Sequence, residues 1–447
     1  MAGQGQSPMN KRVLQVLING DRVGTLIDEG NVWGFQYAKL WLTQPQPFPL
    51  SPALPLGPDF QRDGSTVRPV QWFFDNLLPE EALREAIGNE EGIAAADAFG
   101  LLERLGAESA GALVLQPEGA PEAPKGTQQL TYSALSERIR RLPVSTLNRQ
   151  APKRMSLAGA QHKMVVCFDP VTGTLKEPLK GTPSSHILKP NSTAVGYPHS
   201  VVNEVFTMRL AALLGLRVPP VWRVYVPEPV YLIERFDRVR GPTDLELLRV
   251  HALDGSQALN ESGVYKYSSA TFQKLLQLIG LCRNKAVARL EVFRWILFNT
   301  LVGNSDCHLK NISFLIDTEG MRVAPFYDLL CTAVYHTRAL DHHNAVWPDE
   351  DLAMPVAAAV RFGEVTQPKL VETGMQLGLS AATARREVSR MVTRLAGAAD
   401  ELIDVMAAEY KRLPLLAGAS AETQGAELHL LRSIRHVVIE DMLRLVK

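Results

Sequence analysis

Residues 303–311 read GNSDCHLKN, directly after the apolar run VFRWILFNTLV at 292–302. Leu290, Phe293, Leu297 and Leu301 recur at helical spacing, so this run reads as a helix built for burial with a polar cluster at its end. Polar groups buried without partners cost roughly 2–7 kcal/mol each. The cluster therefore either satisfies itself or holds a ligand. Asp306 and Asn311 lie five positions apart, and Asp328 follows 17 residues later in VAPFYDLL, after a short β-like run. That order suits phosphoryl transfer from ATP: one carboxylate orients the attacking hydroxyl, while an amide oxygen and a second carboxylate hold Mg²⁺ on the phosphates. Mg²⁺ favours such hard oxygen ligands and needs few of them from the protein. His308 falls where a donor can meet charge developing on the transferring group.

A nucleotide site also needs a cradle. SLAGAQHK, Ser156 to Lys163, is a loop of small residues before a strand, and its backbone N–H groups can hold an anion, although it matches neither a Walker A nor a GxGxxG loop. Lys189 stands alone in the apolar SHILKP and, pointing inward from a strand, requires an anionic partner. LIERFDR ends a strand near Glu234 to Asp237, where backbone groups can bind an adenine edge and Asp237 can reach a ribose.

The rest of the chain sets these pieces in order. VLQVLINGDRVGTLID at 13–28 alternates about Asn19-Gly20, a hairpin signal. The Pro-rich TQPQPFPLSPALPLGP bars helix interiors and central strands, and helices are predicted around Glu80–Ile87 and Ala94–Leu105. QPEGAPEAPKGTQQ reads as a linker, which ends a first α+β domain near residue 122. HKMVVCFD, SHILKP, VWRVYVPE and VYLIERFD then read as strands around a helix at Val201–Leu214, giving a strand-rich lobe over 123–240. From about Ser268 helices are expected to dominate, so 241–447 forms a helical lobe that includes ATARREVSRMVTRLAGAADELIDVMAAEY.

Lys+Arg and Asp+Glu are equal at 47 each, so bulk attraction to nucleic acid or an anionic membrane is excluded. The opening MAGQGQSPMNKR reads as neither a signal nor a transit peptide, and no apolar run suits a membrane span. Cys167, Cys282, Cys307 and Cys331 lack zinc or disulfide spacing, and a cytoplasmic protein is the simplest reading.

In order, MSLAGAQHK, HILKP, LIERFDR, LVGNSDCHLKNISF and PFYDLL resemble the HipA family of Ser/Thr kinases, the toxins of type II toxin–antitoxin modules. NGDRVGTL, FFDNLLPE and GAESAGAL resemble that family's N-terminal domain, so the likeness covers nearly the whole chain. It implies an α+β chain of bilobal protein-kinase-like fold, a small strand-rich lobe and a large helical lobe, behind an N-terminal α+β domain. It implies ATP and Mg²⁺ as cofactors, with Asp306 as catalytic base beside His308, and Asn311 and Asp328 as metal ligands. Lys189 would contact the nucleotide phosphates, Ala158, Gly159, Ala160, Gln161, His162 and Lys163 would form the phosphate loop, Glu234 and Phe236 the adenine hinge, and Asp237 a ribose contact. Ser156 falls where family members phosphorylate themselves, and a phosphate there is expected to inhibit. The resemblance also implies a HipB-like helix-turn-helix antitoxin that alone brings DNA, and a protein substrate in translation, typically an aminoacyl-tRNA synthetase. Two departures stand out. His162 replaces a commonly acidic residue, and HALDGSQ keeps only Asp254 where the family often has Gln-Glu-Asp, with Ala252 and Leu253 in the other positions.

Plainer readings compete. Asn304 and Asp306 could cap a helix end, Ser156 could be a turn serine, and Glu204, a candidate partner for Lys189, reads better as a first-turn residue favoured by the helix dipole. His336, His342 and His343 lack metal-ligand spacing. As alternatives for function, the Asp-x-His-x-x-Asn core also resembles lipid kinases, and a catalytically silent co-repressor would keep the fold. The N-terminal motifs disfavour the first, and the intact Asp306, Asn311, Asp328 and Lys189 disfavour the second.

Overall fold

The computed structural model describes residues 11–243, 246–265, 271–341, 343–413 and 416–447; the opening residues 1–10, Ser268 and His342 lie outside them. Asn19 and Gly20 both take positive φ, 50° and 96°, the backbone that suits the twist of an antiparallel pair. They join β1 (Lys11–Ile18) to β2 (Asp21–Glu29). With β3 (Val32–Tyr37), β4 (Gln61–Arg62) and the returning β5 (Leu113–Pro117), they form an antiparallel sheet in the order β4-β3-β2-β1-β5. Alternation buries Leu14, Val16, Leu26 and Phe35 in one core with residues of α1 (Lys39–Thr43), α2 (Pro69–Asp75), α3 (Glu81–Glu91) and α4 (Ala98–Leu105). α4 starts later than the predicted Ala94 because the Asp97 carboxylate accepts from Gly100 N–H and caps it there.

The second sheet runs β10-β11-β9-β7-β8-β6, antiparallel throughout. Its strands are β6 (Thr127–Gln129), β7 (Met164–Asp169), β8 (Thr174–Pro178), β9 (His186–Pro190), β10 (Val221–Tyr225) and β11 (Pro229–Glu234), with α5 (Tyr132–Arg140) and α6 (Ser200–Leu213) between them. β9 lies inside the sheet, paired with β11 and β7, and Lys189 on it is buried at 6% exposure. α6 is buried on almost every side because it is wedged between this sheet and the helical lobe.

The helical lobe is less purely helical than the periodicity suggests. After the hairpin β12 (Arg238–Arg240) and β13 (Leu247–Arg249), a three-stranded sheet forms from β14 (Ala252–Asp254), β15 (Ser313–Asp317) and β16 (Gly320–Val323). Between β14 and β15 run α7 (Gly255–Ala258), α8 (Phe272–Leu281) and α9 (Lys285–Leu301). GNSDCHLKN is the link from α9 to β15, held between a buried helix and a sheet. A second hairpin, β17 (Asp351–Val356) and β18 (Ala359–Arg361), precedes α10 (Gln367–Gln376), the 32-residue α11 (Ala381–Arg412), α12 (Ala421–Ser433) and α13 (Glu440–Leu445). No helix among the described residues is long and apolar enough to cross a membrane.

Buried charge fastens the N-terminal domain to the lobes. Glu108, fully buried, pairs with Lys153 (2.5 Å), Arg238 (2.7 Å), Arg249 (2.7 Å) and Arg235 (3.0 Å). Burial alone would push its carboxyl up, but the four cations outweigh this and hold it well below the ordinary carboxylate range. Glu108→Gln keeps the shape and removes the charge, leaving buried cations uncompensated, and is expected to destabilise the protein by about 3–5 kcal/mol in urea denaturation. Because the folded pKa is depressed, this contribution is present above the unfolded Glu value near about 4.3 and is lost as pH falls below it. A flat acid limb for wild type relative to Glu108→Gln would contradict the assignment.

Candidate active site

Lys189 reaches its anions across the interface of the two lobes. Its Nζ lies 2.8 Å from Glu204 Oε1, makes an ion pair with Asp328 Oδ1, and sits 5.5 Å from the Tyr231 ring centroid. The sequence reading of Glu204 as a dipole-favoured first-turn residue is corrected here. Glu204 is the fifth residue of α6, buried, and it is a partner of Lys189. Burial pushes the Glu204 carboxyl up to about 7, against the pull of Lys189. Burial acts the same way on Asp328, but Lys189 and Lys163 outweigh it and keep that carboxyl low. For Lys189, burial is outweighed by Asp328 and Glu204, which raise its pKa and keep it an ammonium. The next-door Asn203 on α6 accepts from Cys331 N–H at 2.9 Å and donates to Cys331 O at 2.8 Å, so one helix carries Glu204 and anchors the chain just past Asp328. Asp328 itself has φ 52°, a conformation that costs a non-glycine residue about 1–3 kcal/mol.

The loop after α9 is built by polar links. Gly303 has φ +70°, and a Cβ there would lie 2.6 Å from Val438 and 2.8 Å from Ala333, so both conformation and space require glycine. Asn299 Nδ2 donates to Trp295 O, Asn304 Nδ2 to Asn299 Oδ1 at 2.7 Å, and Asp306 N–H to Asn304 Oδ1 at 3.0 Å. Capping thus accounts for Asn304, which closes the helix end, but not for the Asp306 side chain, which is 45% exposed. His308 is buried with Nε2 3.9 Å from Asp306 Oδ1. Asn311 Nδ2 donates to Asp306 O at 2.6 Å, which fixes the amide and leaves Oδ1 as its outward acceptor. Tyr327 ties the next segment in: its hydroxyl donates to Lys310 O at 2.9 Å, and its ring stacks on Phe236 at 5.7 Å and 22°. Phe236 thereby connects the hinge, where Glu234 is exposed at the end of β11, to the segment bearing Asp328.

Across the cleft, Gly159 has φ +102°, and a Cβ there would lie 2.8 Å from Lys163 Nζ. Lys163 Nζ donates to Ala158 O at 2.5 Å, closing the loop on itself, while Gln161 Nε2 reaches Pro190 O at 3.4 Å beside Lys189 and Ala160 is exposed at the tip. Burial, then the nearby Lys189, lowers the Lys163 ammonium to about 8. His162 is also lowered by burial, so the departure from an acidic residue leaves a ring that favours the neutral form. Ser156 is no surface turn serine: it is fully buried, with its hydroxyl donating to Leu77 O at 2.8 Å and its N–H to Glu108 O at 2.6 Å.

Asp237 is placed differently from the expectation. Arg235 takes both its oxygens at 2.9 and 2.7 Å, Gly111 N–H donates at 2.6 Å and Arg238 lies at 3.2 Å, so the carboxylate holds the hinge instead of offering oxygens to a ribose. The residue that sequence reasoning set aside is Glu204, and the lone inward lysine was its signal. Glu204→Gln is expected to leave the fold intact and lower phosphoryl transfer by about tenfold or more, because a neutral amide cannot hold the Lys189 ammonium in place. Unchanged turnover in a steady-state assay would remove Glu204 from the site.

The profile of the HipA-like C-terminal domain matches residues 155–401, and that of the HipA N-terminal domain matches residues 14–116. A Sinorhizobium fredii protein named as a kinase, Y4mE, is 33% identical over 413 residues, 89% of this chain and 93% of that one. The serine/threonine-protein kinase toxin HipA of Shewanella oneidensis is 34% identical over 328 residues, 68% of this chain and 71% of that one. A solved structure of the Shewanella oneidensis HipA, HipB and operator DNA complex superposes with a TM-score of 0.76 at 26% identity, over 96% of this chain and 97% of that one. With both domain profiles matched in chain order, this chain belongs to the HipA family of protein kinases.

Proposed function

We propose that this kinase transfers the γ-phosphoryl group of ATP, with Mg²⁺, to a Ser or Thr hydroxyl of a protein, as the toxin of a HipA/HipB-type module. The observation that carries the reading is Lys189 held between Glu204 and Asp328, together with a loop that carries a half-exposed Asp306 and an Asn311 with its amide fixed. Asn311 and Asp328 fit a metal that favours oxygen donors, since the nitrogen of Asn311 is already engaged and an oxygen is left. They would hold Mg²⁺, which when bound neutralises charge on the phosphates.

The chain's own residues do the rest. Lys189 and the amides of Ala158 to Lys163 bind phosphate oxygens, and the hinge at Glu234 and Phe236 receives the base. Asp306 accepts the proton of the attacking hydroxyl as the new P–O bond forms and the bond to the leaving ADP oxygen breaks. His308, further along the loop, stabilises the charge that develops on the transferring phosphoryl group. The likeness to a HipA bound with HipB and operator DNA supports a helix-turn-helix antitoxin as partner. Equal numbers of basic and acidic residues support DNA contact through that partner and not by bulk charge. The substrate class is a protein of the translation machinery, such as an aminoacyl-tRNA synthetase.

The reading is tested by incubating lysate with labelled ATP. Wild type should label a discrete protein band, and Asp306→Asn should lose labelling by about 10²–10⁴-fold while binding nucleotide nearly as well, because the base acts on the acceptor. Near-normal labelling by the variant would overturn the role of Asp306.

Ser156 supplies regulation of the same site. A phosphate of about −1.5 to −2 charges cannot enter the fully buried slot between Leu77 and Glu108, so the loop has to leave it. Stoichiometric phosphorylation at Ser156, followed by mass spectrometry, is expected to abolish ATP binding, with Ser156→Ala as control. Retained binding would return Ser156 to a structural role.

A further inference from the structure

Lys310 stands within the catalytic loop, between His308 and Asn311, yet it does not face the cleft. It is 6% exposed, and its Nζ lies 2.8 Å from Asn76 Oδ1, 3.2 Å from Asn76 O, 2.9 Å from Asp254 Oδ2 and 3.4 Å from Glu80 Oε1. An ammonium has three donors, and these acceptors account for them. Asn76 is itself fixed, because Nδ2 donates to Trp72 O and to Glu261 O, both at 2.8 Å, which leaves Oδ1 to meet Lys310.

The next residues of the same N-terminal segment grip the other side of the cleft. Leu77 O accepts the Ser156 hydroxyl at 2.8 Å, and Glu80 N–H donates to Gly159 O at 3.4 Å. Five consecutive residues of the N-terminal domain, Asn76 to Glu80, therefore bind the catalytic loop through Asn76 and Glu80 and the phosphate loop through Leu77 and Glu80. The two loops belong to different lobes and approach the same reaction from opposite sides.

We infer that Asn76–Glu80 is a strap that sets the phosphate loop and the catalytic loop in register, with Lys310 as the positioning residue at its catalytic end. The inference rests on the kinase reading for its purpose and on the contacts alone for its existence. It makes the N-terminal domain part of the catalytic apparatus, and it gives the seating of Ser156 a direct mechanical route to Asp306 and Asn311.

The test is amide hydrogen exchange on the full chain, wild type against Lys310→Met and Asn76→Ala, with thermal melting as a check on folding. Breaking a charged hydrogen bond at one end of the strap should speed exchange by about tenfold in both 306–311 and 157–163, while α9 stays as protected as in wild type. In activity, kcat should fall and KM for ATP should rise together, which a merely structural lysine would not produce in a protein of normal thermal stability. If Lys310→Met does not fold, Asn76→Ala carries the same test, since it removes the strap's shortest contact to Lys310, the Asn76 Oδ1 acceptor, and leaves the catalytic loop's own sequence intact. Unchanged exchange at 157–163 in a folded variant with loosened 306–311 overturns the strap. Absence of phosphoryl transfer by wild type would overturn the kinase reading instead, and the exchange result would still decide the strap.

Discussion

The Glu108 carboxylate is the charge on which the arrangement of domains depends. Three guanidinium groups and one ammonium are buried around it, and none of them could stay there as an unpaired ion. They come from the segment before β7 (Lys153), the turn from β11 into β12 (Arg235, Arg238) and the β13 end (Arg249), whereas Glu108 comes from the N-terminal domain. Ser184 adds a hydroxyl at 2.7 Å. Displacing the N-terminal domain would take the shared carboxylate from all four cations and leave Arg235 and Arg238 with Asp237. That constraint fixes the hinge, which the paired Asp237 extends, and delivers the backbone carbonyl that accepts from Ser156.

What could be read in the sequence was what is local. The Asn19-Gly20 turn and the strands of the middle lobe declare themselves within short stretches, and the structure has them in those forms. Glu204 was misread because helix position offers a sufficient local explanation, while its true partner sits on a different element 15 residues away. Asp237 carried a local warning that went unused. Arg235 and Arg238 flank it, and a carboxylate between two buried arginines is rarely left over for a ligand. The strands β14 to β16 are only three to five residues long, below the length at which an apolar run separates strand from helix. Lys310 gave no signal at all, since its acceptor on Asn76 is 234 positions distant.

The cleft is preorganised through partners that are exchangeable. Lys189 has two carboxylates and Lys163 has a carbonyl, so both lysines are held by internal acceptors and are not bare charges. Such a site holds its lysines in place and favours a ligand able to engage several of them at once. The positive φ of Asp328 belongs to the same design: a strained turn is kept because Lys189, the stacked Tyr327 and the Asn203 clamp on Cys331 together over-determine it.

The distance along the chain between strap and loop also sets an order of assembly. The first sheet closes within residues 11–117, from contacts the nascent chain can make early, and domains fold largely as they are synthesised. The grip of Asn76 on Lys310 spans 234 residues, and the pair of Lys189 with Asp328 spans 139. Contacts of such separation form late. On the ribosome, the N-terminal domain would thus be complete while its strap still has nothing to hold, and no partial chain ending before Asp328 could bring a working centre together. Chain order itself would thus delay the onset of activity until synthesis of that copy is well advanced.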